Sequence, residues 1–276
     1  MRSALRTLLT SLAILLLHNS IAQPIIERNN TQSWYGRVNG WHTSRSLLKQ
    51  ELDLMQECGV SGYMIELAGW GHDVGEAWNE EWINTIKKEY RHILRQCRKR
   101  DLWLFVSIIN DNMGRGKYGD RGPSLEVVYD YAQQLISIIK RFGSRNVMVQ
   151  PVAETQTSAG ERFEREVLTQ LSDFILVYNG DGGSPKRLLE GFDFRAIHPS
   201  HITSSLPSDA LIISDHGLII RELSADGGLQ SAGDPEKVKR WAEHLHKEGV
   251  PVVGYYAFLY NGFDPATIRA LGCWDK

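Results

Sequence analysis

Short apolar runs and longer amphipathic stretches alternate along the whole chain. Runs rich in β-branched and aromatic residues recur at 33–39, 61–68, 102–109, 146–153, 174–178, 194–198, 210–214 and 251–258. Several are nearly continuous in apolar residues, the pattern of parallel strands covered on both faces. The stretches between them carry helical spacing. Trp82, Ile86, Tyr90, Ile93 and Cys97 share one helix face, and Val127, Tyr131, Leu135 and Ile138 share a face of the next. Ser158 with Glu161 forms a capping-box pair, and Asp234-Pro235 and Asp264-Pro265 each set a cap residue before a proline suited to the first helical position. The fifth and sixth intervals hold only a short helix at 185–190 and a turn near 205–209. Eight strand–helix units with no linker predict an α/β fold, a single-domain (β/α)8 TIM barrel over residues 23–276.

Residues 1–22 read differently. Arg2 and Arg6 precede an apolar run from Leu8 to Leu17, and Ser20-Ile21-Ala22 offers small residues for cleavage before Gln23. The run is too short to cross a bilayer comfortably, and no later segment reaches that length, so a cleaved leader and a secreted or periplasmic product without stable membrane insertion are expected. The compartment would allow disulfides. Of the three cysteines, Cys58 and Cys97 fall near the ends of consecutive predicted helices and could pair, leaving Cys273 free, but buried unpaired thiols are the preferred reading.

Charge narrows the ligand. Without Arg2 and Arg6 the chain carries 33 acidic against 29 basic residues, which disfavours nucleic acid as a partner. The cluster Arg95, Arg98, Lys99 and Arg100 lies at a predicted helix end, where the helix dipole accounts for it. Eight Trp and ten Tyr exceed what a core needs and point to an aromatic-lined binding surface.

A barrel of parallel strands gathers its functional groups at the strands' C-terminal ends. The residues that end the predicted strands include Trp41, Glu66, Trp70, Asn110, Asp111, Glu154, Tyr178, Asn179, His198, Asp215, His216, Tyr255 and Tyr256. The opposite ends are plainer, for example Gly59-Val60 and Ser144-Arg145. Glu154 follows the apolar run Val147-Met148-Val149-Gln150-Pro151-Val152-Ala153, where a carboxyl group could be held protonated for general acid work. Asp215 ends the seventh run and is the preferred second carboxylate. Glu66, set among apolar residues, is the alternative. Asp111 reads most simply as a turn residue. The tryptophans and tyrosines suit the apolar face of a sugar, and no predicted strand ends in Arg or Lys.

The chain resembles the clan of secreted (β/α)8 glycoside hydrolases that carry an acid/base Glu after strand four and a nucleophile after strand seven. The stretches that carry the resemblance are Val149-Gln150-Pro151-Val152-Ala153-Glu154, Ile213-Ser214-Asp215-His216-Gly217 and Gly254-Tyr255-Tyr256-Ala257-Phe258. It implies hydrolysis of glycosidic bonds in an oligo- or polysaccharide, with Glu154 protonating the leaving oxygen and no metal or organic cofactor. Hydroxyls would be bound by Asn110, Asn179, His198, His216 and the aromatic residues. The clan's usual Asn before the acid/base is Ala153 here, and its usual second Glu is Asp215. Both retaining chemistry, with carboxyls about 5–5.5 Å apart, and inverting chemistry, at about 6.5–9.5 Å, therefore stay open. Two other classes remain: a non-catalytic carbohydrate-binding barrel, and a metal-dependent barrel hydrolase drawing on His42, His72, His198, His201 and His216.

Overall fold

The computed structural model describes residues 32–37, 44–68, 80–110, 125–153, 158–179, 190–196, 210–214, 235–247, 252–257 and 265–272. Eight strands are found among the described residues: β1 Gln32–Arg37, β2 Gly62–Ala68, β3 Trp103–Asn110, β4 Val147–Ala153, β5 Ile175–Tyr178, β6 Phe194–Ala196, β7 Ala210–Ser214 and β8 Val252–Ala257. All pairings are parallel and follow chain order, and β8 returns to pair with β1 along its whole length. The sheet is thus curled round on itself. Six helices are described: α1 Arg45–Cys58, α2 Glu80–Lys99, α3 Leu125–Phe142, α4 Ser158–Leu168, α5 Pro235–Lys247 and α6 Pro265–Gly272. The helical pieces expected at 185–190 and near 205–209 lie outside the described residues, as does the expected leader. What is shown is an α/β fold of barrel type. Among the described residues no helix is long and apolar enough to cross a membrane.

Local signals explain the helix ends. Ser44 caps α1, its side chain accepting from the Leu47 amide, and Gly59 ends it in the left-handed conformation with φ 77°. Helices α5 and α6 begin at the two prolines that follow aspartates, as expected. On α2, Ile86, Tyr90, Ile93 and Cys97 are buried together. On α3, Leu135 and Ile138 of the expected stripe are buried together with Ala132, Ile136 and Ile139, whereas Tyr131 is only partly covered. An aromatic ring with a polar tip sits well at the edge of such a stripe, and the small Ala132 allows the helix to approach the sheet.

Two apolar layers result. The larger lies between sheet and helices and includes Tyr35, Tyr63, Ile65, Val106, Val149, Leu176, Tyr178 and Tyr255. The smaller fills the interior of the curled sheet with Trp34, Met64, Phe105, Met148, Ile175, Val177, Phe194, Ala196 and Val252. Strand alternation assigns the two sets to opposite faces. Trp34 is fully buried, in register with Gly62 on one neighbour and Gly254 on the other. A methyl group at Gly62 would overlap the indole, with Cε2 and Cγ only 2.6 Å away, so the glycine makes room for the ring. The indole N–H donates to Gln32 Oε1 at 3.2 Å, and Ser61 Oγ donates to the same oxygen at 3.1 Å.

The cysteines follow neither alternative in full. Cys58 is disulfide-bonded, but Cys97 is a free, fully buried thiol, so the two do not pair with each other. Cys58 instead lies against the last helix: Gly272 abuts its carbonyl so closely that a side chain there would clash. Burial pushes the Cys97 thiol up to about 12.

Candidate active-site face

Because every strand is parallel, all eight C-terminal ends open on the same side of the sheet. The N-terminal side is closed by tight connections at 59–61, 100–102 and 143–146. Asp101 and Asn146 both take the left-handed conformation there, and Asn146 Nδ2 donates to Asp101 Oδ1 at 3.3 Å. The basic cluster works on this side. The Arg98 guanidinium donates to the carbonyls of Phe142, Gly143 and Arg145, capping the end of α3. Arg100 pairs with Asp53 of α1 at 2.6 Å, and hydrogen bonds from Lys49 and Arg100 hold the Asp53 carboxyl below the usual carboxylate range. These cations stitch neighbouring helices and need no external anion.

On that C-terminal side, strand β4 ends at Ala153 and β7 at Ser214, immediately before Glu154 and Asp215. Those two carboxylates lie outside the described residues, together with Trp41, Trp70, Asp111, His198 and His216. Asn110 is the last residue of β3 and Tyr256 lies within β8; their side chains are not described. Among the described residues, no group of His, Cys, Asp and Glu is arranged to hold a metal ion.

Four predicted residues, Glu66, Tyr178, Tyr255 and Asn179, can be placed with their surroundings. Glu66 is only 8% exposed and continues the interior face of β2, two residues beyond Met64. Tyr178 and Tyr255, 1% and 2% exposed, belong to the larger apolar layer and face the helices rather than the interior. Tyr178 packs its ring 5.5 Å from that of Phe192. Burial, reinforced by the negative charges of Glu164 and Glu161, raises the Tyr178 hydroxyl to about 12. The physical reason is parity: Val177 points inward, so its neighbour Tyr178 points outward and Asn179 inward again.

Sequence reasoning passed over two further residues. Ser107 is the register partner of Glu66, and Gln150 is the register partner of Ser107. Ser107 stands two residues after Phe105 and Gln150 two after Met148, so all three occupy the interior face. They form a polar row across β2, β3 and β4, directly beyond the apolar plug on its C-terminal side. Ser107 and Gln150 are 1% and 3% exposed, and Ser107 Oγ and Gln150 Nε2 have no hydrogen-bond partner among the described residues. Asn179 Oδ1, at the end of β5, likewise has none among them. The available signal was a polar residue at period two within each apolar strand. Among the described interior positions there is no Arg, Lys or His.

The sequence matches no protein-family model and no curated protein. Its fold is similar to solved structures. A GH113 β-1,4-mannanase superposes with a TM-score of 0.57 at 13% identity, over 88% of this chain and 98% of that one. An endo-1,4-β-mannanase from Rhizomucor miehei gives 0.53 at 11%, over 88% and 94%. A glycoside hydrolase family 5 enzyme from Prevotella bryantii B14 gives 0.52 at 10%, over 91% and 96%. At such identities the likeness is one of fold alone.

Proposed function

We propose that the protein is a secreted glycoside hydrolase on a complete single-domain (β/α)8 TIM barrel, released from its leader after Ala22. Glu154 acts as general acid/base, protonating the glycosidic oxygen as the leaving sugar departs. Asp215 serves as the second carboxylate, attacking the anomeric carbon or activating water, and Glu66 is the alternative for that role. Trp41, Trp70, Asn110, Asp111, Asn179, His198, His216 and Tyr256 contact the sugar.

The observation that carries this reading is that β4 and β7 stop directly before Glu154 and Asp215, on strands whose C-terminal ends share one side of the curled sheet. Likeness of fold to several glycoside hydrolases supports it. Glu66 is buried at the C-terminal half of β2 beside Ser107, where a carboxylate is retained for a partner or a function.

The test is hydrolysis of a panel of oligosaccharides and aryl glycosides by wild type and by Glu154→Gln, Asp215→Asn and Glu66→Gln. Loss of general acid catalysis predicts a fall of roughly 10²–10⁴-fold for Glu154→Gln. Equal activity in wild type and Glu154→Gln removes Glu154 from the mechanism. Whichever of the other two variants loses more activity identifies the second carboxylate.

A further inference from the structure

We propose that Ser107 and Gln150, beside Glu66, form the floor of the substrate pocket and take a vicinal diol of a neutral sugar ring that enters end-on, discriminating against uronic acids. This deepens the hydrolase reading and rests on it.

The row has three properties that bear on a ligand. It is built in register across adjacent strands, Glu66 beside Ser107 and Ser107 beside Gln150, so its members are held on the most rigid part of the fold. It is desolvated, and the Ser107 hydroxyl and the Gln150 amide N–H₂ have hydrogen-bonding capacity that no described residue uses. Unmet polar groups so deeply buried are costly, and an apolar pair of the same shape would relieve that cost. It also lies immediately beyond the plug of Met64, Phe105 and Met148 on the side that carries the strand ends, with Ile109 and Val152 the next buried register pair on β3 and β4.

The chemistry of the row selects its ligand. Adjacent strands are about 4.8 Å apart, so the outer members stand roughly 10 Å apart with Ser107 between them. Glu66 presents carboxylate oxygens, Ser107 donates or accepts, and the Gln150 amide donates. Two neighbouring hydroxyls complement that order, one donating toward the carboxylate and one accepting from the amide. A second carboxylate does not, since it would meet Glu66 with no cation among the described interior positions to offset the repulsion. Depth sets the orientation. The row stands two or three residues before the strand ends, about 5–8 Å down the barrel axis for strands tilted near 40°. A ring lying flat across the mouth would miss it, whereas a terminal ring pointing inward reaches it.

The experiment uses the full mature protein. Wild type, Ser107→Ala and Gln150→Leu are assayed on neutral oligosaccharides and aryl glycosides, on the matching glycuronides, and on singly deoxygenated forms of the best substrate. Binding of the same sugars to Glu154→Gln is followed by ligand-observed NMR, and thermal midpoints are recorded for all proteins. Neutral substrates should be preferred to glycuronides by at least about tenfold, and removing one hydroxyl of the diol should raise KM by about tenfold in wild type. Each variant should raise KM similarly, become insensitive to that deoxygenation, and keep or raise its thermal midpoint, since an unmet polar group has been removed. If wild type cleaves sugars but the variants keep KM within twofold, or if glycuronides are preferred, the floor proposal is overturned and the hydrolase reading stands. If wild type neither binds nor cleaves any sugar of the panel, both fall. The deoxygenated substrates test wild type directly, so the result does not depend on the variants folding.

Discussion

Gly62→Ala is the most direct probe of how the barrel interior is packed. Gly62 faces the fully buried Trp34, and the added methyl would sit 2.6 Å from two ring carbons where contact normally needs about 3.5–4.0 Å. The ring has little freedom to retreat, because its N–H is tied to Gln32 and Phe105 stands with its centroid 6.3 Å from the indole. Overpacking of this kind costs about 1–3 kcal/mol, and the immobile aromatic neighbour places this site at the upper end. Replacing glycine with alanine returns about 0.4–1 kcal/mol by restricting the unfolded chain. The expected net loss is about 2 kcal/mol, a fall in Tm of about 4–8 °C for a domain of this size. Urea unfolding followed by far-ultraviolet circular dichroism and tryptophan fluorescence measures it. Trp34→Phe gives the methyl room, so the double variant should show a favourable coupling of about 1 kcal/mol. A Gly62→Ala protein within about 0.5 kcal/mol of wild type, or strictly additive single losses, would refute this packing.

Three further outcomes are expected. Peptide mapping without reduction should find Cys58 joined to Cys273, the partner the sequence leaves once Cys97 is a free thiol, while Cys97 should resist alkylation until the protein unfolds; a Cys58–Cys97 peptide would contradict this. Tyr178→Phe and Tyr255→Phe should leave kcat/KM within about twofold, because both rings belong to the helix-facing layer, and a tenfold rise in KM in either would place it in the pocket instead. His246, bonded to Ser33 Oγ at 3.1 Å, is held down to about 4 by burial, below its ordinary 6.5. Between those values the unfolded chain binds a proton that the folded protein does not, so stability falls as pH drops from 6.5 toward 4. Allowing for partial exposure the loss is about 1–2 kcal/mol, and His246→Gln should flatten the denaturation profile across that window.

Periodicity alone makes the repeating architecture legible in the sequence. Each expected strand is present to within one or two residues where it is described, because a strand covered on both faces must be apolar almost throughout. That continuity also hides which way each side chain points. Val177 and Tyr178 are both apolar enough for either face, and only the pairing of β5 with its neighbours shows that Tyr178 meets the helices. The same ambiguity conceals Ser107 and Gln150, whose meaning depends on standing beside Glu66, a fact of register between segments distant in sequence. The possible Cys58–Cys97 pairing does not form for a related reason. Cys58 and Cys97 do lie near the ends of consecutive helices, but the chain's last helix packs against α1 and brings Gly272 onto Cys58.

The two ends of the barrel divide their work along physical lines. At the N-terminal side, left-handed residues and arginine-capped carbonyls satisfy the backbone with short connections, which is how a structure gains rigidity. Midway, Trp34, Met64, Phe105 and Met148 seal the interior against water. Two residues further along β2, β3 and β4 the composition turns polar, and groups appear whose hydrogen bonds no described residue completes. A chain selected for stability alone would place leucine or valine there, as it does at Val177 on the adjoining strand. Unmet donors set in register beside a buried carboxylate, on the side where the strands leading to Glu154 and Asp215 end, are better explained by a ligand that completes them. On that view the stability forgone at Ser107 and Gln150 should be recoverable by apolar substitution, and substrate affinity should be what is lost in exchange.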